Sequence, residues 1–147
     1  IEDSVILDLF AGSGAIGIEF ISRGAKKAYF CEKNHNAAKM IYQNLTKTKF
    51  ENQAEVFEMD YKKCLLELTE RKEKFNVIYI DPPYKANIAA HAIKQIISLD
   101  LIEPNGIMII ETDELERDLS ELEELQVEVY DLRKYGRANL IFLNRKE

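Results

Sequence analysis

The sequence predicts a layered α/β domain with a mostly parallel sheet, because short apolar runs alternate along it with amphipathic stretches of helical period. Three of the runs, Val5-Ile6-Leu7, Val77-Ile78-Tyr79-Ile80 and Ile107-Met108-Ile109-Ile110, are continuously apolar rather than alternating. Such runs belong where helices cover both faces of a sheet.

In chain order, strands are expected at 5–10, 27–31, 55–59, 75–80, 106–112, 126–133 and 139–144. The helix after the second strand carries Ala37, Ala38, Ile41 and Leu45 at three- and four-residue spacing, behind Asn34 as N-cap. Ala89, Ala92, Ile93, Ile96 and Ile97 stripe the helix after the fourth strand, and Leu115, Leu119 and Leu122 the helix after the fifth. Pro104-Asn105-Gly106 reads as the turn into the fifth strand. Only residues 134–138 join the last two strands. A parallel crossover needs roughly a dozen residues, so this pair is antiparallel if adjacent. The expected sheet has seven strands, mostly parallel, with one reversed strand at the C-terminal end.

The 147 residues, 46% hydrophobic and 31% charged, suit a single domain over 1–147. No apolar stretch nears the ~20 residues of a membrane span and no secretory signal opens the chain, which points to the cytoplasm. Cys31 and Cys64 read as packed thiols, and no metal site is expected. His35 and His91, each on a helix without an acidic partner at triad or metal spacing, read as structural.

The net charge of −6 is concentrated: residues 111–125 hold eight acids against one base, Arg117. That run is expected to form one solvated helix face. The remainder sums to +1, which leaves room for basic patches at Lys62-Lys63 or at Arg133, Lys134 and Arg137. Because Ile1 rather than Met opens the chain, the sequence is expected to be a piece of a longer protein, truncated at its N-terminus.

Gly12-Ser13-Gly14-Ala15-Ile16-Gly17 satisfies the dinucleotide-loop pattern G-x-G-x-x-G, and Glu32 follows Gly12 by 20 residues, where a ribose-binding carboxylate belongs. A dinucleotide loop holds a pyrophosphate on a helix N-terminus, where free N–H groups favour an anion. Asp8, four residues before Gly12, opposes an anion and suits a cation. S-adenosylmethionine carries a sulfonium and an ammonium and no phosphate, so it is the expected cofactor. Asp60, ending the third strand, is placed either to accept from an adenine amino group or to cap the next helix.

Asp81-Pro82-Pro83-Tyr84 follows the fourth strand, at the carboxyl edge where open α/β sheets bind ligands. Two prolines remove two backbone donors, which leaves the Asp81 carboxylate and the Pro82 carbonyl as stiffly held acceptors. Acceptors drawing on both protons of a nucleobase amino group favour a pyramidal nitrogen able to attack a methyl group, and Tyr84 offers a face for stacking.

Asp8-Leu9-Phe10-Ala11-Gly12-Ser13-Gly14 together with Asp81-Pro82-Pro83-Tyr84 resembles the class I methyltransferases that modify nucleobase amino groups. The reversed last strand suits their Rossmann-like fold. More narrowly the chain resembles the RsmD family, bacterial enzymes that methylate a guanine N2 in 16S ribosomal RNA, through "LDLFAGSGAIGIEFISRGA", "CEKN", "VIYIDPPY", "GIMIIE" and "YGRANLIFLNR". The resemblance implies that Asp8, Phe10, Gly12, Ser13, Gly14, Glu32 and Asp60 bind S-adenosylmethionine. It also implies that Asp81, Pro82, Pro83 and Tyr84 hold the target guanine, with 16S rRNA or the small ribosomal subunit as partner and the protein a monomer. Three other readings stay open on the residues alone: a DNA adenine-N6 or other amino methyltransferase, a noncatalytic binding domain, and an NAD-dependent dehydrogenase.

Overall fold

The computed structural model describes residues 1–83 and 86–146. Seven strands, β1 (Val5–Asp8), β2 (Lys27–Cys31), β3 (Ala54–Phe57), β4 (Phe75–Ile80), β5 (Ile102–Thr112), β6 (Val127–Tyr135) and β7 (Ala138–Arg145), form one sheet in the order β3-β2-β1-β4-β5-β7-β6. β1 to β5 pair in parallel, whereas β7 is antiparallel to both β5 and β6. This is the expected seven-stranded, mostly parallel arrangement, with the reversed strand lying one position in from the edge.

Among the described residues five α-helices pack on the sheet: α1 (Ala15–Ser22), α2 (His35–Thr48), α3 (Tyr61–Glu70), α4 (Ile88–Ser98) and α5 (Leu115–Leu122). Successive side chains of a strand point to opposite faces, and the continuous apolar runs divide accordingly. Leu7, Ile78 and Ile80 pack with Leu65, Leu68, Ile93 and Ile96 of α3 and α4, while Ile6, Val77 and Tyr79 pack on the other face with Ile21, Ile41 and Leu45 of α1 and α2. The helical stripes read from the sequence supply both cores. Asn34 caps α2 as expected, its side chain accepting from Ala37 N at 2.9 Å.

Several boundaries differ from the sequence expectation, β3 for one ending at Phe57 rather than at residue 59. β1 stops at Asp8, although Leu9 N and Ala11 N still donate to Tyr79 O and Cys31 O on the neighbouring strands. Pro104-Asn105-Gly106 does not precede β5 but bulges within it, the register jumping from Phe75 beside Ile102 to Val77 beside Ile107. The last connection tightens to Gly136-Arg137, with Gly136 at φ 62°, the left-handed backbone that short hairpins use. None of the helices formed by the described residues is long and apolar enough to cross a membrane.

β1 lies between β2 and β4, so consecutive crossovers leave it in opposite directions and open a crevice at the carboxyl ends of β1 and β4. The Gly12 loop and Asp81 both start there.

Candidate functional site

A cleft of about 590 Å³ occupies this crevice, a size suited to a nucleotide-like ligand. Phe10, Gly12, Glu32, Asp60, Asp81 and Pro82 all contribute to its wall, so the structure brings the two motifs to one cavity. The loop between β1 and α1 is shaped by backbone that side chains resist. Gly12 has φ 57°, and a Cβ built on it would meet nothing within 4 Å, so its hydrogen faces open space. Gly17 matters through contact instead, since a Cβ there would fall 2.3 Å from Phe30 Cε2.

Glu32 fastens this loop to the end of β2. Its Oε1 accepts from Gly12 N at 2.8 Å and its Oε2 from Asn34 N at 2.9 Å, so the carboxylate stands fixed at the cleft wall with lone pairs to spare. Asp60 caps α3, accepting from Lys62 N at 2.8 Å, and also borders the cleft. The two roles open to it in the sequence are thus compatible. The Phe10 ring lies 5.1 Å from that of Tyr61, whose hydroxyl is 2.8 Å from His91 Nδ1, giving the cleft an aromatic wall. His91 is therefore tied to a cleft residue, and His35 meets Glu58 at 3.1 Å on the surface, an acidic partner that sequence spacing had not revealed.

Asp8 departs from its expected place. Its carboxylate is buried at 2% exposure and accepts from Gly17 N at 3.2 Å, beneath the first turn of α1 rather than in the cleft wall. Burial, then the neighbouring Asp81 and Glu32 carboxylates, push it up to about 7 against the Gly17 hydrogen bond. Ser13 and Gly14 are likewise absent from the cavity wall: Ser13 O accepts from Asn44 Nδ2 at 2.9 Å, and Gly14, at φ 83°, is the residue from which α1 starts.

Asp81 and Pro82 also border a second cavity, of about 320 Å³. Partial burial, then the Glu111 and Asp113 carboxylates, push Asp81 up to about 6. Tyr84 lies outside the described residues. Glu111, Asp113, Arg117, Asp118 and Arg137 complete this second wall, and reading the sequence had assigned none of them to a site. The acidic run over 111–125 is not one solvated helix face. Glu111 is the penultimate residue of β5 and accepts from the Tyr79 hydroxyl, and Asp118 is buried at 4% exposure beside Arg117. Cys31 and Cys64 are free, buried thiols in contact, which raises the Cys31 thiol well above its ordinary range.

The family model described as Conserved hypothetical protein 95 matches residues 1–144. The chain belongs to that family. YlbH of Bacillus subtilis, whose name assigns it provisionally to rRNA methylation, is 32% identical over 129 residues, covering 86% of this chain and 70% of that protein. Ribosomal RNA small subunit methyltransferase D of Haemophilus influenzae is 35% identical over 117 residues, 77% of this chain and 58% of that protein. The resemblance to the RsmD family drawn from the two motifs is borne out by these relatives. The chain spans under two thirds of the Haemophilus protein's length. Among solved structures, a chain described as a methyltransferase in complex with S-adenosylhomocysteine superposes with a TM-score of 0.82 at 14% identity, covering 97% of this chain and 45% of that one. The fold is thus that of the class I methyltransferases. Leu9, Phe10 and Gly12 of the first motif and Asp81, Pro82 and Pro83 of the second line one crevice.

Proposed function

We propose that this chain is a single domain that transfers a methyl group from S-adenosylmethionine to the exocyclic N2 of a guanine in 16S ribosomal RNA, acting in the cytoplasm as a monomer. The observation that carries the reading is the meeting of Glu32 and Asp81 in one cleft, a fixed carboxylate on one side and an acceptor pair on the other. The relatives' names support the rRNA substrate.

The cleft residues fit the methyl donor. Glu32 offers lone pairs to ribose hydroxyls, the open space at Gly12 admits close approach of the ligand, and Phe10 and Tyr61 present apolar surface to an adenine ring. Asp60 has its Oδ1 on Lys62 N, which leaves Oδ2 for the adenine amino group. Three carboxylates, Glu32, Asp60 and Asp81, line the cavity against two lysines, Lys33 and Lys62, a balance that favours a cationic donor over a phosphate. When bound, the donor supplies an electrophilic methyl on a sulfonium.

The protein's own contribution is position and hydrogen bonding. Asp81 and the Pro82 carbonyl accept the two amino protons of the target, which turns the nitrogen lone pair out of conjugation and towards the first cavity. The proton released on methylation passes to Asp81, whose affinity for it is raised by burial and then by Glu111 and Asp113. Holding nitrogen, methyl and sulfur in line supplies most of the rate.

Tritiated methyl transfer onto small-subunit particles lacking the modification, with DNA in parallel, tests the reading, and calorimetry with S-adenosylhomocysteine and NAD tests the cofactor. Labelling of guanine N2 in the RNA alone is the expected result. Labelling of DNA adenine, or binding of NAD in place of S-adenosylhomocysteine, overturns it.

A further inference from the structure

We infer that the second cavity selects guanine over adenine and cytosine, with Glu111 accepting the ring N1–H and Arg137 donating to O6. This inference rests on the N2 reading proposed above.

The three amino-bearing bases differ at the atom beside the amino group. Guanine presents a ring N–H there, whereas adenine N1 and cytosine N3 are acceptors. An acceptor fixed next to Asp81 therefore pairs with guanine and repels the other two. Glu111 is such an acceptor. Ile80 is paired with Ile110, so Asp81, the first residue past β4, and Glu111, the penultimate residue of β5, follow on adjacent strands at the carboxyl edge. The Tyr79 hydroxyl donates to Glu111 Oε1, which holds the carboxylate in place and leaves Oε2 for a second donor.

The donor comes from the next strand. β7 pairs with β5, Thr112 lying beside Asn139, and Arg137 sits just before β7 in the hairpin turn and borders the same cavity. Of the two guanidinium groups in the wall, Arg117 has its Nε 3.4 Å from the buried Asp118, whereas Arg137 makes no ion pair among the described residues. Across β4, β5 and β7 the edge thus offers Asp81, Glu111 and Arg137. Acceptor, acceptor, donor is the complement of N2–H, N1–H and O6 along the Watson–Crick edge of guanine.

The test replaces the target guanosine by 2-aminopurine riboside, which keeps the N2 amino group but has an acceptor at N1 and no oxygen at position 6. The protein is assayed on small-subunit particles carrying either base. The wild type is expected to prefer guanosine by 10²-fold or more in kcat/KM, the scale at which a hydrogen-bonding site rejects an analogue lacking the bond. Glu111→Gln keeps an oxygen for the Tyr79 hydroxyl and turns an amide N–H towards N1. It should lower the rate on guanosine and raise that on 2-aminopurine, narrowing the preference at least tenfold. Arg137→Ala should slow guanosine alone. A structural role for Glu111 would slow both substrates equally, and that result, with S-adenosylhomocysteine affinity unchanged, overturns the inference while leaving the N2 reading intact. Failure of the wild type to methylate guanine N2 at all removes both.

Discussion

The Gly12 N–H donates to Glu32 Oε1 at 2.8 Å, joining two residues twenty apart in sequence into one unit at the carboxyl edge. The second oxygen of the same carboxylate takes Asn34 N at 2.9 Å, so Glu32 ties the glycine loop to the start of α2. Glu32→Gln keeps one acceptor and sets an amide N–H against a backbone N–H at the other position. Hydrogen bonds to charged groups contribute about 1.5–3 kcal/mol, so S-adenosylhomocysteine affinity should fall by roughly 10- to 100-fold. Isothermal calorimetry measures it, and a change below twofold would exclude Glu32 from the cofactor wall.

Gly17 tests the packing behind that loop. A methyl group there would lie 2.3 Å from Cε2 and 2.6 Å from Cζ of Phe30, a ring with 0% exposure that has no room to withdraw. Overpacking of this kind costs about 1–3 kcal/mol. Gly17→Ala should lower the urea midpoint accordingly, and the shifted α1 should weaken cofactor binding as well. At Gly12 the space is open but φ is 57°, so Gly12→Ala should cost about 1 kcal/mol of backbone strain and act mainly by crowding the ligand.

The fold was legible because both cores are written in runs such as Ile6-Leu7 and Val77-Ile78-Tyr79-Ile80, whose alternate side chains fill opposite faces. The first cavity was legible for a different reason. Its residues follow directly on strand ends, so the motif at 8–14 and the motif at 81–84 each mark one position on the carboxyl edge. The second cavity was not, because Glu111, Asp118 and Arg137 come from a strand end, a helix and a hairpin turn. No spacing relates them, and within an acidic run two of them look like solvated charge. Asp8 was misplaced by one step of the same logic: sequence sets it near the loop, but only packing decides that its carboxylate turns beneath α1 towards Gly17 N.

Burial of Asp8 has a consequence for stability. Its carboxyl titrates near 3.8 in an unfolded chain and at about 7 in the folded one. Below about pH 4 it is protonated in both states and costs nothing. Between pH 4 and 7 the unfolded chain has released the proton and the folded chain retains it, so stability falls as pH rises, and above 7 the loss is complete. Asp81, raised to about 6, adds a slope of the same sign over pH 4–6. Asp8→Asn keeps an acceptor for Gly17 N without the charge. Thermal unfolding at pH 5 and pH 8 should show the wild type losing on the order of a few kcal/mol between them and the variant losing distinctly less. A wild-type midpoint that rises from pH 5 to pH 8 contradicts the assignment.

Asp81 should show the opposite dependence in activity, because the mechanism needs it as an acceptor. Its carboxyl, at about 6, gains a proton as pH falls through that value and then presents a donor to an amino group that is itself a donor. The kcat/KM for methylation, which reports the free protein, should therefore drop tenfold for each unit below about pH 6 and level off above it. Removing the carboxylate altogether, as in Asp81→Ala, should cost 10² to 10³ in kcat, the size of the loss when one preorganised hydrogen-bonding group is deleted from an active site. Gly12 N and Glu32 are untouched by this change, so S-adenosylhomocysteine should still bind within a few-fold of wild type. Asp81→Asn separates charge from shape. It keeps one acceptor but no group able to take the released proton, so it should retain less than a tenth of the wild-type kcat and lose the inflection near pH 6. A variant that kept both the rate and the inflection would move the acid–base role from Asp81 to another group in the cleft.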